Sequence, residues 1–231
     1  MLEKLKKEVY EANMLLWESG LVISTFGNVS GIDRESGLVA IKPSGVKYPD
    51  MKPEDIVIVD LDGNTVEGKL RPSTDMPTHV KIYSEMPTVG GVCHTHSIYA
   101  TSFAQAGKHI NAYGTTHADY FDGRIPCTRM LTREEIEEDY EYNTGKVICE
   151  TLKTRDPLSM CAVLVNSHGP FTWGKDANES VMHSIYLESI AHMAMNTEIL
   201  RANKESFPMR EELLRKHFDR KHGKNSYYGQ K

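Results

Sequence analysis

Residues 89–96 read Val-Gly-Gly-Val-Cys-His-Thr-His, an apolar run that ends in two histidines. In a β-strand alternate side chains point to opposite faces, so His94 and His96 would lie on the same face. Two imidazoles close together on one face form half of a binding site for a divalent metal ion. The alternative is that both are ordinary polar residues at the end of a strand.

A third histidine, His168, follows a second apolar run. Residues 162–166 read Ala-Val-Leu-Val-Asn, and Gly169-Pro170 comes after the histidine, which is typical of a buried strand that ends in a loop. Three histidines at strand ends can converge on one ion and leave a position open for substrate. Spacing does not exclude the others, which are His79, His109, His117, His183, His192, His217 and His222.

The composition is that of a soluble globular protein. The chain has 231 residues, of which 39% are hydrophobic and 26% charged. A formal net charge of −5 gives no argument for nucleic-acid binding. No apolar stretch is long enough to span a membrane, and the N-terminus lacks the apolar block of a signal peptide. The four cysteines have no C-x-x-C spacing, so reduced thiols in a cytoplasmic protein are expected.

Periodicity and turn residues predict irregularly alternating helices and strands. Helices are expected over residues 2–19, from the region 71–77 to 86, and over 101–106, 132–153, 176–200 and 208–222. Strands are expected over residues 21–26, 38–41, 55–60, near 65–67, before His94 and over 162–166, with a hairpin turn at Asp62-Gly63 and a loop at 114–120. We therefore predict one α/β domain over residues 1–231, with a mixed or antiparallel sheet covered by helices.

Three short polar segments have the character of anion-binding sites: Gly27-Asn28, Ser44-Gly45 and Ser73-Thr74. Hydroxyls and exposed N–H groups after a strand or at the start of a helix bind phosphate well. Lys42 and Arg71 are near in sequence and can add positive charge. Each segment alone is more typical of an ordinary turn, so phosphate binding is expected only if all three meet beside the metal.

Position alone leaves several other roles open. Asp75 stands where either a helix N-cap or a metal-binding carboxylate fits, and the N-cap is favoured. Asp119 is either an acid/base group or a turn residue. Glu141 and His217 are interpreted as surface residues of helices. Tyr228, in a short polar tail, needs a surface to pack against, and a partner subunit can provide one.

These segments together resemble one known family, the L-ribulose-5-phosphate 4-epimerases of the class II aldolase/adducin superfamily. The similar motifs are TFGNVS (25–30), KPSG (42–45), PSTDMPTH (72–79), HTHS (94–97), GTTHADYF (114–121) and SHGPF (167–171), followed by KHG (221–223) and YYGQ (227–230). The resemblance extends from residue 2 to residue 230 with the motifs in the same order. It implies an α/β/α fold around a largely antiparallel sheet, and a homotetramer with active sites between neighbouring subunits.

The resemblance also implies roles for individual residues. By matching position, the metal ligands are Asp75, His94, His96 and His168; the phosphate contacts are Gly27, Asn28, Ser44, Gly45, Ser73 and Thr74; and the acid/base pair is Asp119 and Tyr228, the latter from a neighbouring subunit. One divalent ion per subunit is expected, with zinc favoured over manganese or cobalt, and no organic cofactor. The family often has Ser-Ser where this chain has Ser73-Thr74, but threonine keeps the hydroxyl.

The implied reaction interconverts L-ribulose 5-phosphate and D-xylulose 5-phosphate. Because the hydrogen on C4 is not acidic, inversion requires cleavage and re-formation of the C3–C4 bond. The nearest alternative is a fuculose- or rhamnulose-phosphate aldolase, which releases the aldehyde; in the fuculose-phosphate enzymes a glutamate stands near the position of Asp75. A remote alternative is a non-catalytic, adducin-like assembly module, which would lack the metal ligands. The pathway, whether arabinose catabolism, ascorbate or another pentose route, stays open.

Overall fold

The computed structural model describes residues 2–201, 207–224 and 226. Within these residues the strands are β1 (Asn28–Asp33), β2 (Leu38–Ile41), β3 (Val57–Val59), β4 (Thr65–Glu67), β5 (Gly91–His94), β6 (Ala162–Leu164) and β7 (Pro170–Gly174). The helices are α1 (Leu2–Glu18), α2 (Met76–Glu85), α3 (Ile98–Gln105), α4 (Thr115–Ala118), α5 (Arg133–Leu152), α6 (Ala177–Arg201) and α7 (Glu211–His222).

The described strands form one sheet in the order β4-β3-β2-β1-β5-β7-β6, and each neighbouring pair is antiparallel. Asn28 of β1 lies opposite His94 of β5, and His94 lies opposite Phe171 of β7. Since the side chains of directly opposite residues in an antiparallel pair lie on the same face, these three side chains share one face of the sheet, at its end.

Helices cover both faces of the sheet. On one face, Leu5 and Val9 of α1 pack in a cluster with Val29 and Cys93. On the other, Ile82 of α2 belongs to a larger cluster that contains Phe171 and Trp173 of β7. The predicted α/β/α architecture with a central antiparallel sheet is confirmed. That residues 1–231 form a single domain stays a prediction.

Local signals located several elements well. The helix over 2–19, the strand over 38–41 and the β3–β4 hairpin are present, and Gly63 at the hairpin turn has a φ of 83°. The capping box that opens α5 is also present, since Thr132 Oγ1 accepts a hydrogen bond of 3.2 Å from Glu135 N. All four cysteines are unpaired. No helix among the described residues combines the length and apolar character needed to cross a membrane.

Two local predictions were wrong, and one strand was missed. Residues 21–26 are not a strand, because Ser24 has a φ of 58° and Phe26 N closes a turn onto Ile23 O. The strand begins instead at Asn28, in the first of the three polar segments. The predicted loop over 114–120 contains the short helix α4. Strand β7 was not predicted at all.

Glycines in the middle of the sheet let a helix approach it closely. Gly91 of β5 lies opposite Gly31 on one side and Gly174 on the other. A Cβ on Gly91 would stand 2.2 Å from the backbone oxygen of Asp176, the residue before α6 begins. The absence of a side chain at Gly91 is therefore what allows the start of α6 to close over β5.

We predict that Gly91→Ala lowers the free energy of unfolding by about 1–3 kcal/mol, the usual cost of overpacking, because backbone atoms must move. Gly114→Ala is the control, since a Cβ there meets nothing within 4 Å and its φ of −145° suits alanine. Urea unfolding of both variants at equal protein concentration measures the difference. Equal stability of the two variants would show that the Gly91 contact is not tight.

Candidate active site

Three histidines meet at the end of the sheet. His94 ends β5, His96 lies two residues later, and His168 lies in the turn between β6 and β7. One ring nitrogen from each lies within 4.8 Å of those of the other two, and His94 Nε2 is 3.1 Å from His96 Nε2. The structure thus brings together the three histidines that the strand pattern singled out.

Neighbouring groups orient these rings. The carbonyl oxygen of Pro170 is 2.9 Å from His94 Nδ1, so Nδ1–H donates there and Nε2 keeps its lone pair. The His94 ring stacks on Phe171, with ring centroids 4.1 Å apart, and His96 stacks on Phe26. The turn that carries His168 is held by the hydrogen bond from Val165 N to the carbonyl of Gly169, 2.9 Å long.

The electrostatic environment keeps the imidazoles of His96 and His168 neutral. Burial, assisted by repulsion from His94, lowers the pKa of His168 to about 3. Burial also lowers the pKa of His96. At neutral pH both rings therefore offer lone pairs, and a metal ion need not compete with bound protons. Neutral, converging nitrogen donors fit a divalent metal ion.

Asp75 borders the same site without completing the histidine cluster. It occupies the N-cap position of α2 but makes no capping hydrogen bond; instead its Oδ2 accepts one of 2.7 Å from Asn28 Nδ2. Burial alone raises the pKa of Asp75, but the neighbouring His94 and His79 and the bond from Asn28 outweigh it, so the pKa is lowered. The side chain is therefore an ionised carboxylate beside the histidines, and its favoured interpretation as a cap is wrong.

A cavity of about 350 Å³ opens over the histidines. Its walls include Asp75 and all three polar segments, Gly27-Asn28, Ser44-Gly45 and Ser73-Thr74. The second and third of these segments are joined by main-chain hydrogen bonds of 2.9 Å, from Ser44 N to Arg71 O and from Ser73 N to Lys42 O. These two N–H groups are consequently already used. Ser73 Oγ accepts a hydrogen bond of 3.3 Å from Asp75 N, but a hydroxyl that accepts one bond can still donate its own proton to a ligand. All three segments therefore lie beside the histidines, which is the arrangement that phosphate binding was expected to require.

Lys42 adds a buried positive charge to this wall. Only 2% of the residue is exposed, and its Nζ donates a hydrogen bond of 2.8 Å to Val46 O. Burial lowers the pKa of Lys42 to about 8, so the ammonium group is still mostly charged at neutral pH. A cation in a low-dielectric wall favours an anionic ligand.

Asp119 lies elsewhere in the chain's structure, at the end of α4, and is not part of the cavity wall. Helix α7 surrounds it: His217 Nδ1 donates to Oδ1 at 3.0 Å, and Arg220 Nη2 donates to Oδ2 at 2.6 Å. Burial raises the pKa of Asp119, but the bonds from Arg220 and His217 lower it more. His217 is thus a partner of Asp119 and not a surface residue. The other predicted acid/base residue, Tyr228, lies outside the described residues.

Two residues of the cavity wall were missed. Tyr140 and Glu141 line it, because α5 has non-helical dihedral angles at Asp139, just before them. Tyr140 Oη is 3.1 Å from His168 Nδ1. Glu141 is half-buried in this wall, and the residues around Asp139 include no glycine or proline that would predict a break in the helix.

Comparison with known proteins identifies the family. The model of the Class II Aldolase and Adducin N-terminal domain matches residues 7–195. The chain belongs to the class II aldolase and adducin family. Metal-dependent enzymes of this family share the fold described above.

Individual proteins are also similar to this chain. The chain is 54% identical over 230 residues to the L-ribulose-5-phosphate 4-epimerase UlaF of Salmonella paratyphi B, with 100% of both chains covered. The protein of the same name from Salmonella typhi is also 54% identical over 100% of both chains. Among solved structures, an L-fuculose 1-phosphate aldolase has a TM-score of 0.74 and 26% identity, and the similarity covers 94% of this chain and 95% of the aldolase.

We predict that His96→Asn removes most of the bound divalent metal while the fold persists, because one of three converging nitrogen donors is lost. Elemental analysis of purified protein measures the metal, and circular dichroism checks the fold. His192→Asn is the control, since His192 is exposed and stacks on Tyr99 instead of facing the cavity. A full complement of metal in His96→Asn would exclude the histidine site.

Proposed function

We propose that this protein is an L-ribulose-5-phosphate 4-epimerase, which interconverts L-ribulose 5-phosphate and D-xylulose 5-phosphate. One observation carries the proposal: three converging histidines and three polar segments share one cavity, in a chain whose full-length relatives bear that name. The presence of the histidines and of a lined cavity argues against a non-catalytic assembly module. Its unpaired cysteines suit a cytoplasmic enzyme of pentose metabolism, such as arabinose catabolism.

The metal site is assigned to His94, His96 and His168, with Asp75 as a fourth ligand. The three histidine nitrogens already converge, whereas the Asp75 carboxylate is held by Asn28. Nitrogen donors with one carboxylate suit zinc, and manganese or cobalt are the alternatives. A divalent ion bound there supplies Lewis-acid stabilisation of negative charge on substrate oxygens.

The phosphate is assigned to the three polar segments of the cavity wall, where Ser44, Ser73 and Thr74 present hydroxyls and Gly27, Asn28 and Gly45 complete the segments. Gly45 has a φ of 70°, and a Cβ there would meet nothing within 4 Å, so its backbone faces open space. Lys42 adds charge. Hydrogen bonds to a charged group contribute about 1.5–3 kcal/mol each, more than those between neutral groups.

The reaction needs two proton-transferring groups on opposite sides of C4. One removes the proton of the C4 hydroxyl; the C3–C4 bond then breaks, C4 becomes an aldehyde carbon, and the electron pair passes to C3 of an enediolate. After the aldehyde turns, C3 attacks its other face, and the second group protonates the new alkoxide. We assign these roles to Asp119, whose lowered pKa keeps it an ionised base, and to Tyr228, since a tyrosine with a pKa of about 10 is a proton donor at neutral pH.

Because Asp119 does not line the cavity of its own chain, we propose that it serves the cavity of a neighbouring subunit in a homotetramer. Tyr228 is assigned to a neighbour as well. In this arrangement the metal half and the acid/base half of each active site come from different chains. Hydrogen bonds from α7 hold the Asp119 carboxylate in one position. A fixed position suits a group that acts in the cavity of another subunit.

The reaction assay separates the epimerase from the aldolase alternative, which the similarity to L-fuculose 1-phosphate aldolase supports. With L-ribulose 5-phosphate we expect D-xylulose 5-phosphate to form, and the reverse reaction to run, without accumulation of glycolaldehyde phosphate. L-fuculose 1-phosphate should be cleaved poorly, and unphosphorylated L-ribulose should react poorly because it lacks the anion. Accumulation of free aldehyde in step with substrate loss would make the protein an aldolase.

Mixed oligomers test the shared site. We predict that His96→Asn and Asp119→Asn are each inactive, Asp119→Asn because a positioned acid/base contributes about 10²–10⁴-fold. If each site uses two chains, random mixing of equal amounts should restore about a quarter of the sites, because each of the two contributing chains is the intact one half of the time.

A second mixture, Asp119→Asn with Tyr228→Phe, shows whether one neighbour supplies both acid/base residues, since it restores activity only if those two residues come from different chains. Mass spectrometry verifies that subunits have exchanged. Exchanged oligomers of His96→Asn and Asp119→Asn that stay inactive would place both halves of the site on one chain.

A further inference from the structure

Helix α5 consists of two helical segments joined at Asp139. The dihedral angles there are φ −155° and ψ 84°, and the helix continues after them. Asp139 Oδ1 accepts a hydrogen bond of 3.2 Å from Tyr142 N, which is the contact of an N-cap at the start of a new helix. The break places Tyr140 at the beginning of the second segment, beside the cavity.

The second segment is held firmly against α2. Thr78 Oγ1 donates a hydrogen bond of 2.6 Å to the carbonyl of Glu141. Gly145 lies so close to α2 that a Cβ would stand 2.7 Å from that of Lys81. Since α2 begins directly after Asp75, the segment that carries Tyr140 is tied to the same framework as the metal-binding cavity. The hydroxyl of Tyr140 is therefore held in a fixed position next to His168.

The hydrogen bond between Tyr140 and His168 constrains both side chains. Tyr140 Oη lies 3.1 Å from His168 Nδ1, so Nε2 is the nitrogen left to bind a metal. A neutral imidazole that binds through Nε2 carries its proton on Nδ1. That proton must then be donated to Tyr140 Oη. His94 has the same arrangement, with its Nδ1 at 2.9 Å from the carbonyl of Pro170.

We propose that Tyr140 is a positioning residue of the metal centre, which fixes the tautomer and orientation of His168, and that the metal-loaded site leaves the Tyr140 hydroxyl proton as a donor to a substrate oxygen. The second part follows because an oxygen that accepts from Nδ1–H must direct its own hydrogen elsewhere, and Tyr140 borders the cavity. The inference rests on the proposed metal centre and adds a residue that the sequence motifs did not contain.

The test compares zinc binding by the wild-type protein, Tyr140→Phe and Tyr142→Phe. The phenylalanine at residue 140 keeps the ring and removes only the acceptor oxygen. Tyr142 is the matched control, because it lies on the same segment and its ring packs under Lys81 Nζ, 5.2 Å from the ring centroid, away from this cavity. Zinc alone, titrated in competition with a chelator, is the probe, so the readout does not depend on turnover.

We expect the dissociation constant for zinc to rise about 10–100-fold in Tyr140→Phe, the usual effect of losing a partner of a metal-binding histidine, and to stay unchanged in Tyr142→Phe. Nitrogen NMR of the zinc-loaded wild-type protein should show His168 protonated on Nδ1. At saturating zinc, Tyr140→Phe should also raise KM for L-ribulose 5-phosphate.

Equal zinc affinity of wild type and Tyr140→Phe, or a His168 proton on Nε2, would overturn the positioning role. An unchanged KM at saturating zinc would overturn the role as a donor to substrate. If the wild-type protein itself binds no zinc, manganese or cobalt, the proposed metal centre fails and this inference fails with it. These results are distinct, so failure of the inference is not confused with failure of the proposed function.

Discussion

The antiparallel register of β1, β5 and β7 is the constraint on which the candidate active site depends. It aligns Asn28, His94 and Phe171 across three strands, so that the amide reaches Asp75 and the aromatic ring supports the histidine. A slip of one residue in β5 would turn His94 to the opposite face. There it would enter the apolar cluster that now contains Cys93, and the histidine cluster of the cavity would lose His94.

The sequence predicted elements that are specified by neighbours in the chain. The spacing of apolar residues locates α1, and the Thr132–Glu135 capping box locates the start of α5. Strand β7 has no comparable local signal, because its place depends on pairing with β5 and β6. The apolar run over 21–26 shows the converse. Its composition suits a strand, but the left-handed backbone at Ser24 prevents one.

The residues of the candidate site also fall into two groups, those that the local sequence predicts and those that depend on distant parts of the chain. The histidines and the three polar segments were predictable because each stands at the boundary of a helix or strand, and such boundaries have recognisable residue patterns. Asp75 was ambiguous, since its position fits a cap and only the bond to Asn28, 47 residues away, shows how the carboxylate is used. Tyr140 and the contacts around Asp119 were beyond reach, because they depend on a break in α5 and on α7 residues about 100 positions distant.

Under the proposed reaction, the phosphate contacts decide between epimerase and aldolase chemistry. Cleavage of the C3–C4 bond leaves the phosphate on the aldehyde fragment, which carries C4 and C5. With the phosphate bound as proposed, the polar segments beside Lys42 would hold the aldehyde fragment, which an aldolase acting on the same substrate would release. Each hydrogen bond to the anion contributes about 1.5–3 kcal/mol to its retention, while rotation about bonds near C4 stays free. Inversion thus needs firm attachment at the phosphate together with freedom at the aldehyde, and a wall built from short hydroxyl-bearing segments at one end of the cavity satisfies both requirements.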